Sequence, residues 1–259
     1  MPKCLLYMRM NLCNETDICV IVPTYNNEKT IVDVLERIML FSIHVLVVDD
    51  GSTDRTPLLL EQAQLSVIRI RYEKNRGKGY ALKTGFLKAL EMGFTYAVTI
   101  DADGQHFPED IPLLVRAERL YPEALIVGSR NLKSENMPGK NTFANRFSNF
   151  WFRLQTGQSL QDTQTGFRLY PLTRLKGLKY LTSRYEAELE LLVLSAWHGI
   201  KLYPVPVRVY YSSRGERVSH FRPVIDFLRI SLVNTVFCIG AVGYGWPLRM
   251  LSYFRRNKS

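Results

Sequence analysis

The chain has 259 residues, 46% hydrophobic and 22% charged, with a formal net charge of +10 and a pI near 9.5. That length and composition support one large domain with a sizeable core, alone or with a small appendage, and exclude extended disorder. The basic balance fits nucleic acid, an anionic membrane surface or a phosphate-rich substrate, and the lack of any zinc-finger spacing or RNP-type motif puts nucleic acid last.

Residues 1–16 carry no long apolar core and no small-residue cleavage site, so they read as a short tail rather than a signal peptide, with Met8 or Met10 as alternative starts. Cys4, Cys13, Cys19 and Cys238 show neither a disulfide framework nor a Cys-x-x-Cys metal spacing, as expected of reduced cytosolic thiols. From Ile18 the pattern alternates. Apolar runs at 18–23, 44–50, 66–72 and 96–101 predict strands. Between them, 27–40, 52–64 and 77–93 predict helices, the first with Ile31, Val34, Leu35 and Ile38 on one face. This is the signature of parallel βαβ units with helices on both faces of a sheet, where ligands bind at the carboxyl ends of the strands. VIVPTY, VVDDGS and TIDADG all run from strand ends into polar loops.

Beyond the strand LIVGSRN (125–131) come a polar loop (133–142), an aromatic-rich helix over 143–154, the stretch DTQTGFRLYP, a Glu-rich helix (183–197) and a strand, KLYPVPVRVYY. The aromatic helix, with Phe143, Phe147, Phe150, Trp151 and Phe152, reads as ordinary core or as an apolar wall for a lipid tail. Between Arg229 and Arg249 lie nineteen residues without a charge. A spanning helix needs about twenty apolar residues, and Asn234, Thr235, three glycines and Pro247 make this a poor one. Two readings stand: an interfacial helix with Arg222, Arg229, Arg249, Arg255 and Arg256 near lipid headgroups, or a helix docked on the core.

DADGQ places Asp101 and Asp103 one residue apart, followed by Gln105 and His106. Neighbouring carboxylates repel, and one tends to hold a proton unless a cation lies between them. Two carboxylates and an amide oxygen suit Mg²⁺ or Mn²⁺ completed by substrate phosphates. An EF-hand loop is excluded, because its position-six glycine is His106 and its position-twelve glutamate is Pro112. Asp110 is placed to cap the following helix. In VVDDGSTD, Ser52, Thr53 and Asp54 suit a helix N-terminus, which leaves Asp49 and Asp50 for another purpose. A strand-end carboxylate can accept the ring N–H of uracil or guanine. NRGKGYALKTG is neither a P-loop nor a dinucleotide fingerprint; Lys78 and its glycines read as a phosphate approach at a helix N-terminus or as a plain turn.

Taken in order, PTYNNE, VVDDGSTD, NRGKGYALKTGF, DADGQHFPEDI, GSR, DTQTGFRLY and YEAELELL resemble the family 2 glycosyltransferases over roughly residues 17–220, and most of all the dolichyl- and polyprenyl-phosphate mannose or glucose synthases. The resemblance implies a GT-A, Rossmann-like α/β fold with a mostly parallel sheet, followed by a C-terminal amphipathic segment (221–259). It further implies a nucleotide-sugar donor of the GDP-mannose or UDP-glucose type, a divalent metal, inversion at the anomeric carbon, and work at the cytoplasmic face of a membrane.

Carried over by position, Pro23, Tyr25, Glu28, Val47 and Asp49 would hold the nucleotide. Asp101, Ala102, Asp103 and Gln105 would serve metal and diphosphate, and Arg130 the phosphates or acceptor. Lys78 joins the phosphate-binding candidates. In RGERVSHF, Arg214 matches the family's arginine, while His220 stands where lysine is usual; an extra Asn27 displaces the glutamate to Glu28. A polyprenyl phosphate acceptor needs cations, for which Arg130, Arg214, His220 and Arg222 are candidates. A hydroxyl acceptor needs a base, for which Asp162 is the candidate, against a loop-fixing role. At least one of Glu186 and Glu188 is expected to be structural, paired with Arg168 or Arg184, and His44 and His198 to be surface or core residues. The rival of another class is a non-catalytic nucleotide-sugar or lipid-binding module; a nucleotidyltransferase would want a Gly-rich signature that VPTYNNE lacks.

Overall fold

The computed structural model describes residues 17–42, 44–130, 139–210 and 223–247. The residues before Asp17, and with them Cys4 and Cys13, lie outside the described residues, as do Arg214, His220, Arg222, Arg249, Arg255 and Arg256. Seven strands form one sheet in the order β3-β2-β1-β4-β6-β5-β7. They are β1 (Ile18–Thr24), β2 (Val45–Asp49), β3 (Ile68–Arg71), β4 (Tyr96–Thr99), β5 (Leu125–Arg130), β6 (Arg168–Pro171) and β7 (Leu202–Val207). All pairings are parallel except those of β6 with β4 and β5.

Strands β1 and β2 read as apolar runs because both faces of the sheet are covered there, whereas edge strand β3 alternates Ile with exposed Arg. Along β1, Cys19 and Ile21 enter one core and Ile18, Val20 and Val22 the other. Helices α1 (Ile31–Met39), α2 (Thr56–Gln62) and α4 (Ile111–Leu120) contribute to the second core. The first core takes side chains from α3 (Lys78–Glu91), α5 (Gly139–Thr156), α6 (Glu186–Trp197) and α7 (Pro223–Gly240). Helix α1 buries the four expected residues, but it starts at Ile31 rather than at Asn27. The preceding turn has its own partners: the N–H groups of Thr30 and Ile31 both donate to the Asn27 carbonyl.

The last helix belongs to the core on one side only. Asn234, Phe237 and Ala241 are buried. At Gly240 and Gly245 a Cβ would come within 3.0 and 2.4 Å of the Trp197 ring, so the close packing there requires glycine. The opposite face is also apolar, with Leu232, Val236, Ile239 and Val242 each 58–71% exposed. The helix is therefore not amphipathic in the expected sense. Asn234, the polar residue that argued against a membrane span, turns inward, where its backbone carbonyl and side-chain oxygen both accept hydrogen bonds from Gln155 Nε2 on α5. Helix α5 divides similarly: Phe152 is fully buried, while Phe147, Phe150 and Leu154 are exposed. No helix among the described residues is long and apolar enough to cross a membrane.

Candidate active site

The loops after β1 and β2 brace each other at the carboxyl edge of the sheet. Asn26, at φ +53°, receives the Thr53 N–H on its side-chain oxygen at 2.8 Å, and its own N–H donates to Ser52 Oγ at 2.9 Å. Asn27 N–H donates to Thr56 Oγ1, and Glu28 N–H to Asp54. The Glu28 carboxylate accepts the Arg55 N–H at 3.1 Å. Of the expected capping trio, only Asp54 meets an N–H of its own helix, that of Thr56. Ser52 and Thr53 serve the cross-brace instead. Pro23 is buried near the end of β1, with Tyr25 half-buried just beyond it; Val47 packs in the core beneath α1.

Asp49 and Asp50 face different tasks. Asp49 Oδ1 accepts the Ser52 N–H at 2.9 Å. Its Oδ2 is buried without a hydrogen bond, with Arg71 Nε 3.4 Å away. Both oxygens of Asp50 are occupied by the N–H groups of Arg76 and Gly77, at 2.8 and 2.7 Å. The amino end of α3 is thus already filled by a carboxylate. Burial raises the Asp50 pKa against those hydrogen bonds.

Lys78 opens α3, but its ammonium turns to carboxylates, at 2.7 Å from Asp101 Oδ1 and 2.9 Å from Glu188 Oε2. Burial opposes both charges; the close opposite charges outweigh it, so Asp101 titrates below 3.8 and Lys78 above its ordinary value. The cation beside Asp101 is, in the first instance, a lysine of the chain itself, shared with Glu188. Asp103 Oδ1 receives the Gln105 N–H at 2.9 Å, a turn that keeps Asp103 and Gln105 together. Ala102 is buried, and its carbonyl accepts Thr30 Oγ1–H at 2.6 Å, which ties the acidic loop to the start of α1. His106 is buried with Nδ1 unbonded, and burial pushes its pKa down to about 4, leaving it neutral at pH 7.

Among the described residues no group of three or more His, Cys, Asp or Glu is placed to hold a metal ion. The donor chemistry nevertheless fits a hard cation, since Asp103, the Gln105 amide and Asp101 offer only oxygens, and Mg²⁺ or Mn²⁺ commonly takes one or two carboxylates and leaves other positions to phosphate.

Arg130, ending β5, is fixed by Asp162. Its Nη2 donates to Oδ1 at 2.8 Å, while its Nε and backbone N–H both donate to Oδ2. Asn145 Nδ2 and the Gln164 N–H complete Oδ1 at 2.7 and 3.1 Å. Asp162 is 0% exposed, and although burial raises its pKa, the hydrogen bonds from Arg130 hold it below 3.8. A carboxylate so engaged is a weak proton acceptor. Of the two roles expected for Asp162, base or loop-fixing residue, these contacts suit the second.

Several pairings differ from those expected. Arg168 is fully buried and meets only the backbone carbonyl of Glu188, along with Thr163 O and Tyr170 Oη. Asp110 does not cap α4; it accepts three bonds from Arg208, at 2.6–3.0 Å, which secure the acidic loop to the end of β7. Sequence reasoning missed Glu188 as the partner of Lys78, and Gly166 behind them. A signal existed: Glu186, Glu188 and Glu190 all lie on one helix among apolar residues, and buried carboxylates need partners.

Comparison with known proteins places this arrangement. The glycosyl transferase family 2 model matches residues 19–178. The UDP-N-acetylglucosamine-dolichyl-phosphate N-acetylglucosaminyltransferase of Methanococcus voltae is 32% identical, covering 75% of this chain and 86% of its own. The undecaprenyl-phosphate mannosyltransferase of Micrococcus luteus is 31% identical, covering 76% and 84%. Among solved structures, glucosyl-3-phosphoglycerate synthase of Mycobacterium tuberculosis, in complex with Mn²⁺, UDP-glucose and phosphoglyceric acid, superposes with a TM-score of 0.63 at 21% identity, covering 94% of this chain and 85% of that one, and so shares the GT-A fold. With more than half of its length matched, the chain belongs to glycosyltransferase family 2.

Proposed function

We propose that this protein transfers a hexose from a nucleotide sugar to polyprenyl phosphate at the cytoplasmic surface of a membrane, with inversion at the anomeric carbon. The observation that carries the choice of acceptor is the Arg130–Asp162 pair. A hydroxyl nucleophile needs a base within hydrogen-bond reach, and Asp162, the candidate for it, is buried with both oxygens engaged. A phosphate nucleophile is already an anion and needs a positioned cation, which Arg130 supplies. The relatives named for dolichyl- and undecaprenyl-phosphate transfer support the same acceptor class.

For the donor, the unbonded Asp49 Oδ2 is an acceptor for a ring N–H of the base, beside Pro23 and Tyr25. Asp103 and Gln105, with Asp101, would hold Mg²⁺ or Mn²⁺, whose chemistry when bound is to stabilise charge on the departing diphosphate. The outer faces of α5 and α7 supply apolar surface for the lipid side, so that residues 17–220 carry the chemistry, with Arg214 and His220 as further candidates for phosphate, and 221–259 the membrane approach.

The test is a product assay: full-length protein, Mg²⁺ or Mn²⁺, polyprenyl phosphate and a panel of nucleotide sugars, with lipids read by mass spectrometry. A hexosyl-phosphoryl lipid that disappears in Asp103→Asn supports the reading and names the donor. Metal-dependent release of nucleoside diphosphate without that lipid sinks the acceptor.

A further inference from the structure

The glycines flanking Lys78 decide where its ammonium goes. Gly77 and Gly79 press the start of α3 onto the approach to α6. A Cβ on Gly77 would lie 2.4 Å from the Ser183 carbonyl, and one on Gly79 would lie 2.2 Å from Ala187 Cβ. That contact sets Lys78 beside Glu188, the next residue of α6, while β4 delivers Asp101 from the other side. Gly166 closes the group: a Cβ there would stand 2.6 Å from Asp101 Oδ2 and 2.7 Å from Lys78 Nζ. One ammonium is thus shared by two carboxylates at nearly equal distances, and only one of those carboxylates sits in the acidic loop.

We infer that Lys78 is a two-position cation that gates Asp101, covering the carboxylate in the nucleotide-free protein and retreating to Glu188 when a divalent cation enters the loop. The inference rests on the reading of Asp101 and Asp103 as the metal-binding pair. Its physical basis is the cost of an unpaired charge. Were Asp101 the sole partner of Lys78, a metal taking that carboxylate would leave a half-buried ammonium uncompensated, which opposes metal binding. Glu188 removes that cost, because the ammonium keeps a carboxylate in either position. A lysine serving the diphosphate directly would have no use for the second acid, and the amino end of α3 is already filled by Asp50. Glu188 is then a positioning residue, acting on Asp101 only through Lys78.

The measurement is Mn²⁺ binding to the full chain without nucleotide, by electron paramagnetic resonance titration. Wild-type binding that is lost in Asp103→Asn places the ion at the acidic loop. In that frame Lys78→Gln removes the competitor and tightens Mn²⁺ binding about tenfold, whereas Glu188→Gln leaves Lys78 committed to Asp101 and weakens binding about fivefold, both within the usual range of site coupling. Opposite signs from two members of one cluster are not what a merely structural role produces. Binding unchanged or weakened in Lys78→Gln overturns the gate and leaves the metal reading standing. Wild-type binding that survives Asp103→Asn overturns the metal reading and the gate with it. Should Lys78→Gln fail to fold, the isosteric Glu188→Gln decides, and unchanged binding there overturns the gate.

Discussion

Arg130 and Asp162 meet through a two-pronged ion pair in which the carboxylate is completely buried and the guanidinium is not. Nη2 of the arginine reaches one oxygen and its Nε the other, so the guanidinium plane is held in one orientation. On the proposed reading, this contact preorganises Arg130 to meet an anion.

Asp162→Asn should therefore damage both stability and catalysis. Removing one partner of a buried pair leaves the other uncompensated, at a cost of about 3 kcal/mol. Transfer should fall about 100-fold, the scale on which a displaced positioning group acts. Arg130→Lys keeps the charge but loses the fork; it should raise the acceptor KM more than it lowers kcat. Urea denaturation and steady-state kinetics separate the two effects. Wild-type kinetics in Arg130→Lys would remove Arg130 from the acceptor site.

The acid limb of stability carries the same pair. The folded pKa of Asp162 lies below its ordinary 3.8, so the folded state binds fewer protons than the unfolded chain in the window just below that value. Stability from this group is present above about pH 4 and drains away as pH falls through the folded pKa. Asp162→Asn should flatten that part of the curve. Denaturant midpoints at pH 3–5 for both proteins check it, and parallel curves would contradict it.

Gly166→Ala tests the closeness of the acidic loop to β6. The added methyl would be driven into Asp101 and Lys78, neither of which can move without giving up an ion pair. We expect a loss of about 2 kcal/mol, typical of overpacking, and a fall in transfer larger than stability alone explains. Thermal melts and the product assay measure both. A variant that melts and works like wild type would show that the loop has slack.

The outer face of α7 should bind lipid without supporting the fold. Leu232 and Ile239 are 66% and 71% exposed, so Leu232→Glu with Ile239→Glu removes no buried contact and should leave the melting temperature within a degree or two. Returning two such side chains from an acyl environment to water costs about 1.5–3 kcal/mol each, so sedimentation with anionic vesicles should weaken at least tenfold. Unchanged sedimentation would move the membrane contact elsewhere.

The alternation of β1 to β4 with their helices is written locally. Each element rests on many residues that repeat with a period of two or 3.6 or, where both sheet faces are covered, form an apolar run, and a sum over many weak preferences tolerates errors at any one position. The carboxylates at the ends of β2 and β4 are legible for the same reason, since strand ends can be read once the strands can. Element boundaries are less so: Asn27 belongs to a turn because of a partner on another element, Thr56 at the start of α2.

Partners are a different matter. Asp110 takes Arg208 from 98 residues away instead of capping its own helix, and Glu188 reaches Lys78 rather than an arginine. Each such pairing hangs on one long-range contact and on the register of two packed elements, and several arginines and lysines satisfy the local chemistry equally well. The division of α7 into an inner and an outer apolar face is of the same kind, because a helix of uniform hydropathy carries no periodic mark of the side that docks. Composition and periodicity settled that this is a parallel α/β chain with acidic strand ends. Which acid pairs with a lysine and which one anchors an arginine followed from packing, because burial and the nearest opposite charge govern a carboxylate's chemistry, and neither is a property of its neighbours along the chain.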